Sequence, residues 1–272
     1  MADSANIKLW KISGGVGSVI AGPTGLTTPM GVAVDEYNDK VYVADQGAGQ
    51  VVAVGLSSGV ISPFATIVGA TCLAFSQSTV ASPGFNSTAS PTIIVLYVGL
   101  TGGGVDSVTI DALGAAVVAT LVSNSAASAL SPSMVPSAIS LGLNGLLVAD
   151  AGRNCLRLIT VSSGAVSTLA GSCGATAGVL DGSGGGARFN SPSGVVVEQG
   201  TGNALVCDSG GYTVRSVTPG GVVTTTAGLA GTAGTTDGVG REARFTAPYD
   251  IALDSDGNAY VVDGASALRL LV

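Results

Sequence analysis

The stretch that decides the fold occurs twice, as Pro136-Ser137-Ala138-Ile139-Ser140-Leu141 and, 56 residues later, as Pro192-Ser193-Gly194-Val195-Val196-Val197. Three more short apolar runs follow each copy, and another copy opens at Pro248 after a further 56 residues. A fixed period with four strand-sized runs per unit is typical of the blades of a β-propeller. The repeat therefore predicts an all-β protein built of four-stranded antiparallel blades.

The same unit can be followed outward to both ends of the chain. One unit opens at Pro29, a degenerate one follows it, and partial units at Asp3–Ile12 and Asp263–Leu271 match the segment that leads into a third strand. We favour six blades, with five as the alternative if the N-terminal segment adds an outer strand to another blade. The predicted organisation is a single propeller domain over 1–272, with a partial blade at 1–27, blades at 28–66, 67–131, 132–191 and 192–247, and a partial blade at 248–272.

The first residues align with the end of a second strand, where Met1 takes the position of Val148. A chain that begins in the middle of a blade leaves strand edges unpaired. From this alignment we expect residues 1–272 to be a portion of a longer polypeptide.

The composition is poor in charge. Asp, Glu, Lys and Arg make up 10% of the residues, against roughly 25% in an ordinary soluble domain. A surface of small hydroxyl and methyl groups suits a glycan coat or burial in a larger assembly. The net charge of −7, without a block of Lys or Arg, argues against nucleic acid as a partner. No run reaches the ~18 apolar residues of a membrane span, so we predict no membrane insertion.

The repeat resembles the NHL repeat. The resemblance rests on the pattern Pro-x-Gly-Val-x-Val-Asp, Tyr-Val-Ala-Asp, x-x-Arg-x-Ile and Gly-Val-Val-Thr-Thr-Ala-Gly, and on two linkers, at 181–192 and 237–248, that end in Ala-Arg-Phe-x-x-Pro. It covers nearly the whole chain and is weakest over 67–122. It implies a propeller, usually six-bladed, that most often serves as a scaffold for protein, glycan or RNA contacts. A few relatives are lyases or hydrolases.

The sequence contains no histidine. That excludes a Ser-His-Asp triad, a Cys-His pair and every metal site that includes a histidine ligand. Propeller lyases of the amidating type depend on a metal held by histidine, so the resemblance does not extend to that activity. We predict no catalytic residue, no metal and no cofactor.

Carboxylates recur at the ends of two strands of the unit. Asp35, Glu198 and Asp254 end first strands and are candidates for a binding site at the channel mouth, where they could hold a hard cation or a polar ligand. Solvated turn residues explain these acids equally well. For the acids that end second strands, we predict hydrogen bonds from backbone N–H groups in the turn before the third strand, with a ring of cation ligands as the alternative. These acids are Asp3, Asp45, Asp150, Asp208 and Asp263.

Arginine and phenylalanine recur in the better-conserved copies of the unit. Arg157, Arg215 and Arg269 lie on third strands, where we predict pairing with acidic neighbours across the sheet. A basic recognition stripe is the alternative, but other residue types interrupt it in two units. Phe189 and Phe245 close the two linkers, and we predict that they fill the grooves between neighbouring blades.

The cysteines point to an oxidising compartment. Cys155 opens a third strand and Cys173 lies just past the fourth strand of the same unit, so a hairpin between these strands brings them opposite each other. We predict a disulfide between them, with Cys72 and Cys207 as free, buried thiols. Asn86 begins an Asn-Ser-Thr sequon and is a candidate glycosylation site.

Together these features favour a non-catalytic structural or protein-interaction module in an extracellular or cell-surface assembly. Its expected partners are other proteins or copies of itself, with glycans as further candidates. The alternative is a propeller enzyme of hydrolase or lyase type, or a protein that binds a small ligand or glycan at the channel mouth. The acids argue against the enzyme, because they are spread over the blades and few basic groups accompany them.

Overall fold

The computed structural model describes residues 1–13, 16–22, 24–79, 92–110, 116–123, 134–142, 144–264 and 267–271. These residues form six antiparallel sheets, and the fold is that of a six-bladed β-propeller, as the repeat predicts. No helix within these ranges has the length and hydropathy to cross a membrane. Helical structure among them consists of five short 3-10 turns, Gln46–Ala48, Ala151–Arg153, Gly184–Gly186, Ser209–Gly211 and Gly240–Glu242.

Met1–Ser123 forms the first of two compact units and contains three sheets. The N-terminal segment makes the sheet β1-β2-β3 by itself instead of adding an outer strand to another blade, so the six-blade prediction is confirmed over the five-blade alternative. The other two sheets pair their strands in sequence order. The strands are β1 (Ala2–Asp3), β2 (Lys8–Ser13), β3 (Val16–Ala21), β4 (Pro29–Asp35), β5 (Lys40–Asp45), β6 (Gln50–Gly55), β7 (Ile61–Thr66), β8 (Ala70–Thr79), β9 (Thr92–Leu100), β10 (Val105–Ile110) and β11 (Ala116–Val122).

Asn124–Val272 forms the second unit and contains the other three sheets. Their orders are β12-β13-β14-β15, β16-β20-β19-β18-β17 and β21-β22-β23. The prediction that all blades form a single domain stays a prediction. The strands are β12 (Pro136–Gly142), β13 (Gly145–Asp150), β14 (Cys155–Thr160), β15 (Ala165–Ala170), β16 (Gly182–Ser183), β17 (Pro192–Val197), β18 (Ala204–Asp208), β19 (Thr213–Val217), β20 (Val222–Ala227), β21 (Pro248–Leu253), β22 (Ala259–Asp263) and β23 (Ala267–Leu271).

The hydrophobic core lies between neighbouring blades. Phe189 is fully buried and packs in one cluster with Leu147 and Leu156 of the blade before it and with Val206 and Val217 of its own blade. This arrangement explains why the apolar runs do not alternate cleanly with polar residues, since both faces of a sheet are covered. The predicted role of Phe189 is confirmed.

Phe245 takes the same role one blade later. It is buried in a cluster with Val214 of the preceding blade and with Ile251 and Val261 of the last sheet. The two linkers therefore each end in an aromatic side chain that fills the space between two sheets. The prediction for Phe245 is confirmed as well.

In two blades the first strand approaches the first strand of the next blade so closely that only glycine fits at one position. A Cβ atom at Gly31 would lie 2.7 Å from the Cα of Cys72, and one at Gly194 would lie 2.7 Å from the Cα of Asp250. A Cβ atom essentially never lies that close to another atom, so packing between blades requires glycine at positions 31 and 194.

The predicted disulfide between Cys155 and Cys173 is present, with the two Cα atoms 5.1 Å apart. It joins the start of β14 to the segment after β15. Cys72 and Cys207 are buried thiols outside any disulfide, as predicted.

Replacing Phe245 with alanine should lower the free energy of unfolding by about 3–5 kcal/mol, because the cavity would open between two sheets. Denaturant unfolding measures the change. Tyr249→Ala is the control, since Tyr249 is 58% exposed and its loss should change stability by at most ~0.5 kcal/mol. Equal effects of the two substitutions would contradict a core between blades.

Replacing both Cys155 and Cys173 with alanine should lower the free energy of unfolding by about 3 kcal/mol, because the bond closes a loop of 18 residues in the unfolded chain. Unfolding with and without reductant measures the effect. Reductant should destabilise the natural sequence and leave the double variant unchanged. A reductant effect of the same size on the double variant would contradict the assignment.

Candidate functional site

Asp35 closes the turn after β4 in the first unit. Its side chain is buried, and its two oxygens accept hydrogen bonds from the backbone N–H of Asn38 at 3.1 Å and from Asn38 Nδ2 at 2.8 Å. One residue of the same hairpin therefore occupies both oxygens.

Asp254 closes the corresponding turn after β21. It accepts hydrogen bonds from the backbone N–H groups of Asp256 at 3.0 Å and Asn258 at 2.8 Å, from Asn258 Nδ2 at 2.9 Å, and from the hydroxyl of Tyr260 at 3.2 Å. The side-chain bond from Asn258 and the backbone bonds hold the pKa of Asp254 below its usual range. These hydrogen bonds stabilise its negative charge within the turn.

Glu198 follows β17 and accepts a hydrogen bond from the hydroxyl of Thr201 within its own turn. All three candidate carboxylates thus bond locally, in the manner of turn residues. Within the described ranges no group of three or more His, Cys, Asp or Glu side chains is arranged to hold a metal ion. The hypothesis that Asp35, Glu198 and Asp254 share one ligand stays a prediction.

Asp250 is a carboxylate that sequence reasoning missed. It lies within β21, at the position that is Gly194 in the preceding blade and Ala138 in the one before. Its side chain reaches solvent and accepts the backbone N–H of Ile251 at 2.9 Å. Desolvation raises the pKa of Asp250, although the bond from Ile251 acts in the opposite direction. The sequence did contain a sign of this carboxylate, because the other copies of the unit have glycine or alanine at the position that Asp250 takes.

The carboxylates that end second strands bond differently from the prediction. Asp263 accepts the backbone N–H groups of Thr246 and Ala247, both at 2.8 Å, and Asp45 accepts those of Thr27 and Thr28. The donors precede the first strand of the blade and do not belong to the turn before the third strand. Since the two strands are antiparallel, the end of the second lies beside the entry to the first.

The same correction applies to Asp150 and Asp208. Asp150 accepts the N–H of Val135 at 3.1 Å, and Asp208 accepts that of Asn190 at 2.6 Å. Only Asp3 bonds as predicted, to the N–H of Asn6 in the turn before β2.

Arg215 links two carboxylates in the fifth sheet. Its guanidinium is buried, lies 3.1 Å from Asp208 Oδ2 and 2.6 Å from Asp181 Oδ1, and has its Cζ 5.3 Å from the ring centroid of Phe189. Burial raises the pKa of Asp208 to about 7, although Asn190 and Arg215 act in the opposite direction. The predicted pairing across the sheet is confirmed, and the linker carboxylate of Asp181 is an addition to it.

Arg269 repeats this arrangement in the last sheet. It lies 3.3 Å from Asp263 and 2.6 Å from Asp237, and its Cζ is 4.9 Å from the ring centroid of Phe245. Sequence reasoning missed Asp181 and Asp237, although both open their linkers as Asp-Gly. Arg157 likewise pairs with Asp150, at 3.3 Å.

These contacts assign the recurring arginines to internal bonding. A guanidinium that already holds one or two carboxylates at hydrogen-bond distance does not form a basic recognition stripe. The interpretation that these acids and arginines tie strands together within the last three blades is therefore favoured. Asn86 lies outside the described residues, and glycosylation there stays a prediction.

The fold can be compared with known proteins. No family model and no curated protein matches the chain. An auxiliary nutrient binding protein from Bacteroides ovatus is similar in structure, at 17% identity and a TM-score of 0.69, over 100% of this chain and 68% of that one. A chain of a nidogen/laminin complex is similar at 12% identity and a TM-score of 0.66, over 99% of this chain and 87% of that one. A catalytically inactive variant of virginiamycin B lyase from Staphylococcus aureus, with quinupristin, is also similar. Its identity is 13% and its TM-score 0.57, over 99% of this chain and 75% of that one.

These likenesses concern the fold. At such identities they identify a β-propeller, and the chain spans about two thirds of the length of the Bacteroides ovatus protein. What those proteins bind or catalyse is not transferred to this chain by the likeness.

Replacing Arg215 with methionine should lower the free energy of unfolding by about 3–5 kcal/mol, since Asp208 would stay buried without its cation. Arg241→Met is the matched control. Arg241 is 71% exposed and lies 3.9 Å from Asp181, so its loss should cost under ~1 kcal/mol. Thermal and denaturant unfolding measure both variants. A cost for Arg215→Met no larger than for the control would contradict the internal role.

Proposed function

We propose that this chain is a non-catalytic interaction module of the NHL type, which contributes a β-propeller to an extracellular or cell-surface assembly. One observation carries the proposal. The five outer strands that complete a blade contain no charged residue. They are β3, β7, β11, β15 and β20.

Uncharged outer strands are unusual for a protein that stays solitary. Such proteins protect their sheet edges with lysine, other charges or proline, because an exposed edge pairs with other chains. Of these five strands, β7 contains Pro63 and β20 is flanked by β16, whereas β3 and β11 have no such protection and expose Val16 and Val117. Exposed apolar surface of this kind is typical of contact sites between proteins, so neighbouring modules would cover it.

The disulfide supports an extracellular or cell-surface location, because such bonds persist in oxidising compartments. The fold neighbours are compatible with a binding role. One of them is called an auxiliary nutrient binding protein, and another belongs to a nidogen/laminin complex.

The enzyme alternative has less support. The lyase with a similar fold is catalytically inactive when a histidine is replaced by alanine, and this sequence contains no histidine. Its recurring carboxylates and arginines are engaged with each other or with backbone N–H groups. A general acid or base needs a side chain that can reach a substrate.

Lysine at both Val16 and Val117 should weaken assembly by roughly tenfold or more, since burying a charge in an apolar contact costs at least ~1.4 kcal/mol. Incorporation of the labelled chain into its native assembly measures the effect, together with sedimentation velocity of the isolated chain. The control carries lysine at Val60 and Val239, which are exposed in connecting loops. Equal incorporation of both variants would contradict the proposal.

A further inference from the structure

The segment that connects the first blade to the second is much shorter than a later connection. It has seven residues, 22–28, whereas the linker from the fourth blade to the fifth has 21, residues 171–191. The two segments begin at equivalent points, directly after the outer strands β3 and β15, and end at equivalent points, directly before β4 and β17. The difference therefore lies in what each segment covers on its way.

The longer linker lies along the outer strand of the blade that it enters. Gly182 pairs with Val223 of β20. Gly184 bridges the two sides of the gap, because its N–H donates to the carbonyl of Gly221 at 2.9 Å and its carbonyl accepts the N–H of Gly171 at 3.0 Å. The linker thus fills the space between the outer strands of two blades.

The same space is open beside the second blade. Gly59 precedes β7 as Gly221 precedes β20, and at both positions a Cβ atom would clash with a carbonyl oxygen of the previous outer strand, that of Ile20 or of Leu169. The two walls therefore approach each other in the same way in both blades. In the second blade a groove of about 570 Å³ lies where the longer linker would run.

Backbone groups at this groove match those that hold the longer linker. Gly22 corresponds to Gly171, and its N–H has no acceptor among the described residues. The carbonyl of Gly59 corresponds to that of Gly221 and accepts no bond from them either. The groove therefore offers both a donor and an acceptor to an extended backbone.

Pro63 protects only part of the edge of β7. In the fifth blade the linker pairs with β20 at Val222 and Val223 alone. Val223 corresponds to Ile61, since Val217 pairs with the one as Val54 pairs with the other. Proline at position 63 therefore leaves the pairing positions free.

The side chains that line the groove differ from those of the fifth blade. There, Asp181 of the linker lies 2.6 Å from Arg215 and accepts the hydroxyl of Thr225 at 2.9 Å and its backbone N–H. The corresponding pair in the second blade is Val52 and Pro63, and both line the groove. Neither can donate a hydrogen bond from its side chain, and proline has no N–H. A carboxylate at this point would be desolvated without a donor, so the groove favours an apolar side chain.

The core beneath the groove is already closed. Leu26 is buried in one cluster with Ala21 and Val52. It stands three residues before β4, as Phe189 stands three residues before β17. The short segment therefore keeps the residue that fills the space between the sheets and lacks only the part that would lie along β7.

We propose that this groove binds an extended, uncharged segment of a neighbouring protein, which pairs with β7 at Ile61 and places an apolar side chain against Val52 and Pro63. The inference rests on the proposed function and names the chemistry of one partner segment. The groove arises from the length of an internal connection, and the linker of the fifth blade shows the kind of backbone that fits it.

Two synthetic peptides test the proposal, one with the sequence of residues 178–187 and one with Asp181→Val in that sequence. Fluorescence anisotropy with the folded protein should give saturable binding of the valine peptide. The aspartate peptide should bind about tenfold more weakly, because its carboxylate would lack a donor. Hydrogen exchange at the amide of Ile61 should slow when the valine peptide is added.

Two substitutions should reverse this preference. Val52→Arg together with Pro63→Thr restores the donors of the fifth blade, so the variant should bind the aspartate peptide at least as tightly as the valine peptide. Arginine suits the position, since Arg157 and Arg215 occupy it in other blades. Pro63→Thr alone changes an exposed residue and should reduce the difference between the peptides. Pro219→Thr, at an exposed turn, is the control and should change neither affinity.

Failure of both peptides to bind would overturn the groove as a binding site, as would equal affinities that the double substitution leaves equal. Full protection of the Ile61 amide in the native protein before any peptide is added would also overturn it, since another part of the same chain would then fill the groove. The proposed function fails separately, through equal incorporation of the lysine variants at Val16 and Val117 and of their control. None of those substitutions changes a residue that lines the groove.

Discussion

A buried carboxylate at the end of the second strand is the constraint on which four of the blades depend, those with Asp45, Asp150, Asp208 and Asp263. It accepts N–H groups from the segment that enters the first strand, and these groups have no strand partner of their own. The charge of the carboxylate is stabilised by different donors in different blades. Asp208 has a buried arginine, Asp45 takes backbone and hydroxyl donors from Thr27 and a backbone donor from Thr28, and Asp3 is reached by the indole N–H of Trp10 at 3.4 Å. The carboxylate is kept while the groups that donate to it vary, because an unpaired buried charge would cost several kcal/mol.

The linkers extend the same bonding from one blade to the next. Each begins with an acid that holds the third-strand arginine and ends with a phenylalanine that packs against it. Between them, Arg244 donates to the carbonyls of Arg241, Glu242 and Ala243, and its own carbonyl accepts from Arg269 at 2.5 Å. The residues of the recurring Asp-Gly and Ala-Arg-Phe motifs therefore contact the same arginine or each other. Their repetition in the sequence reflects packing between blades.

The pairing of acids with arginines inside the blades affects which groups remain on the surface for a partner to contact. A chain with few charged residues engages its recurring acids and arginines in these ties, and its outer strands contain none. The surface that results is apolar and hydroxylic, with backbone edges that other chains can reach. Under the proposed function, such a surface would bind its partners through shape and strand pairing more than through a cluster of titratable groups.

The sequence by itself determined the blades, the disulfide and the pairing of the third-strand arginines. Those features depend on residues close together in the chain, as in the hairpin that joins Cys155 to Cys173, 18 residues apart. Only the tertiary structure decided the donors to Asp263, the linker acids that reach Arg215 and Arg269 across 34 and 32 residues, and the groove beside β7. Periodicity fixes which residues form strands, but it carries no information on which loop folds back beside a given side chain. That is decided by how the linkers pack against the sheets.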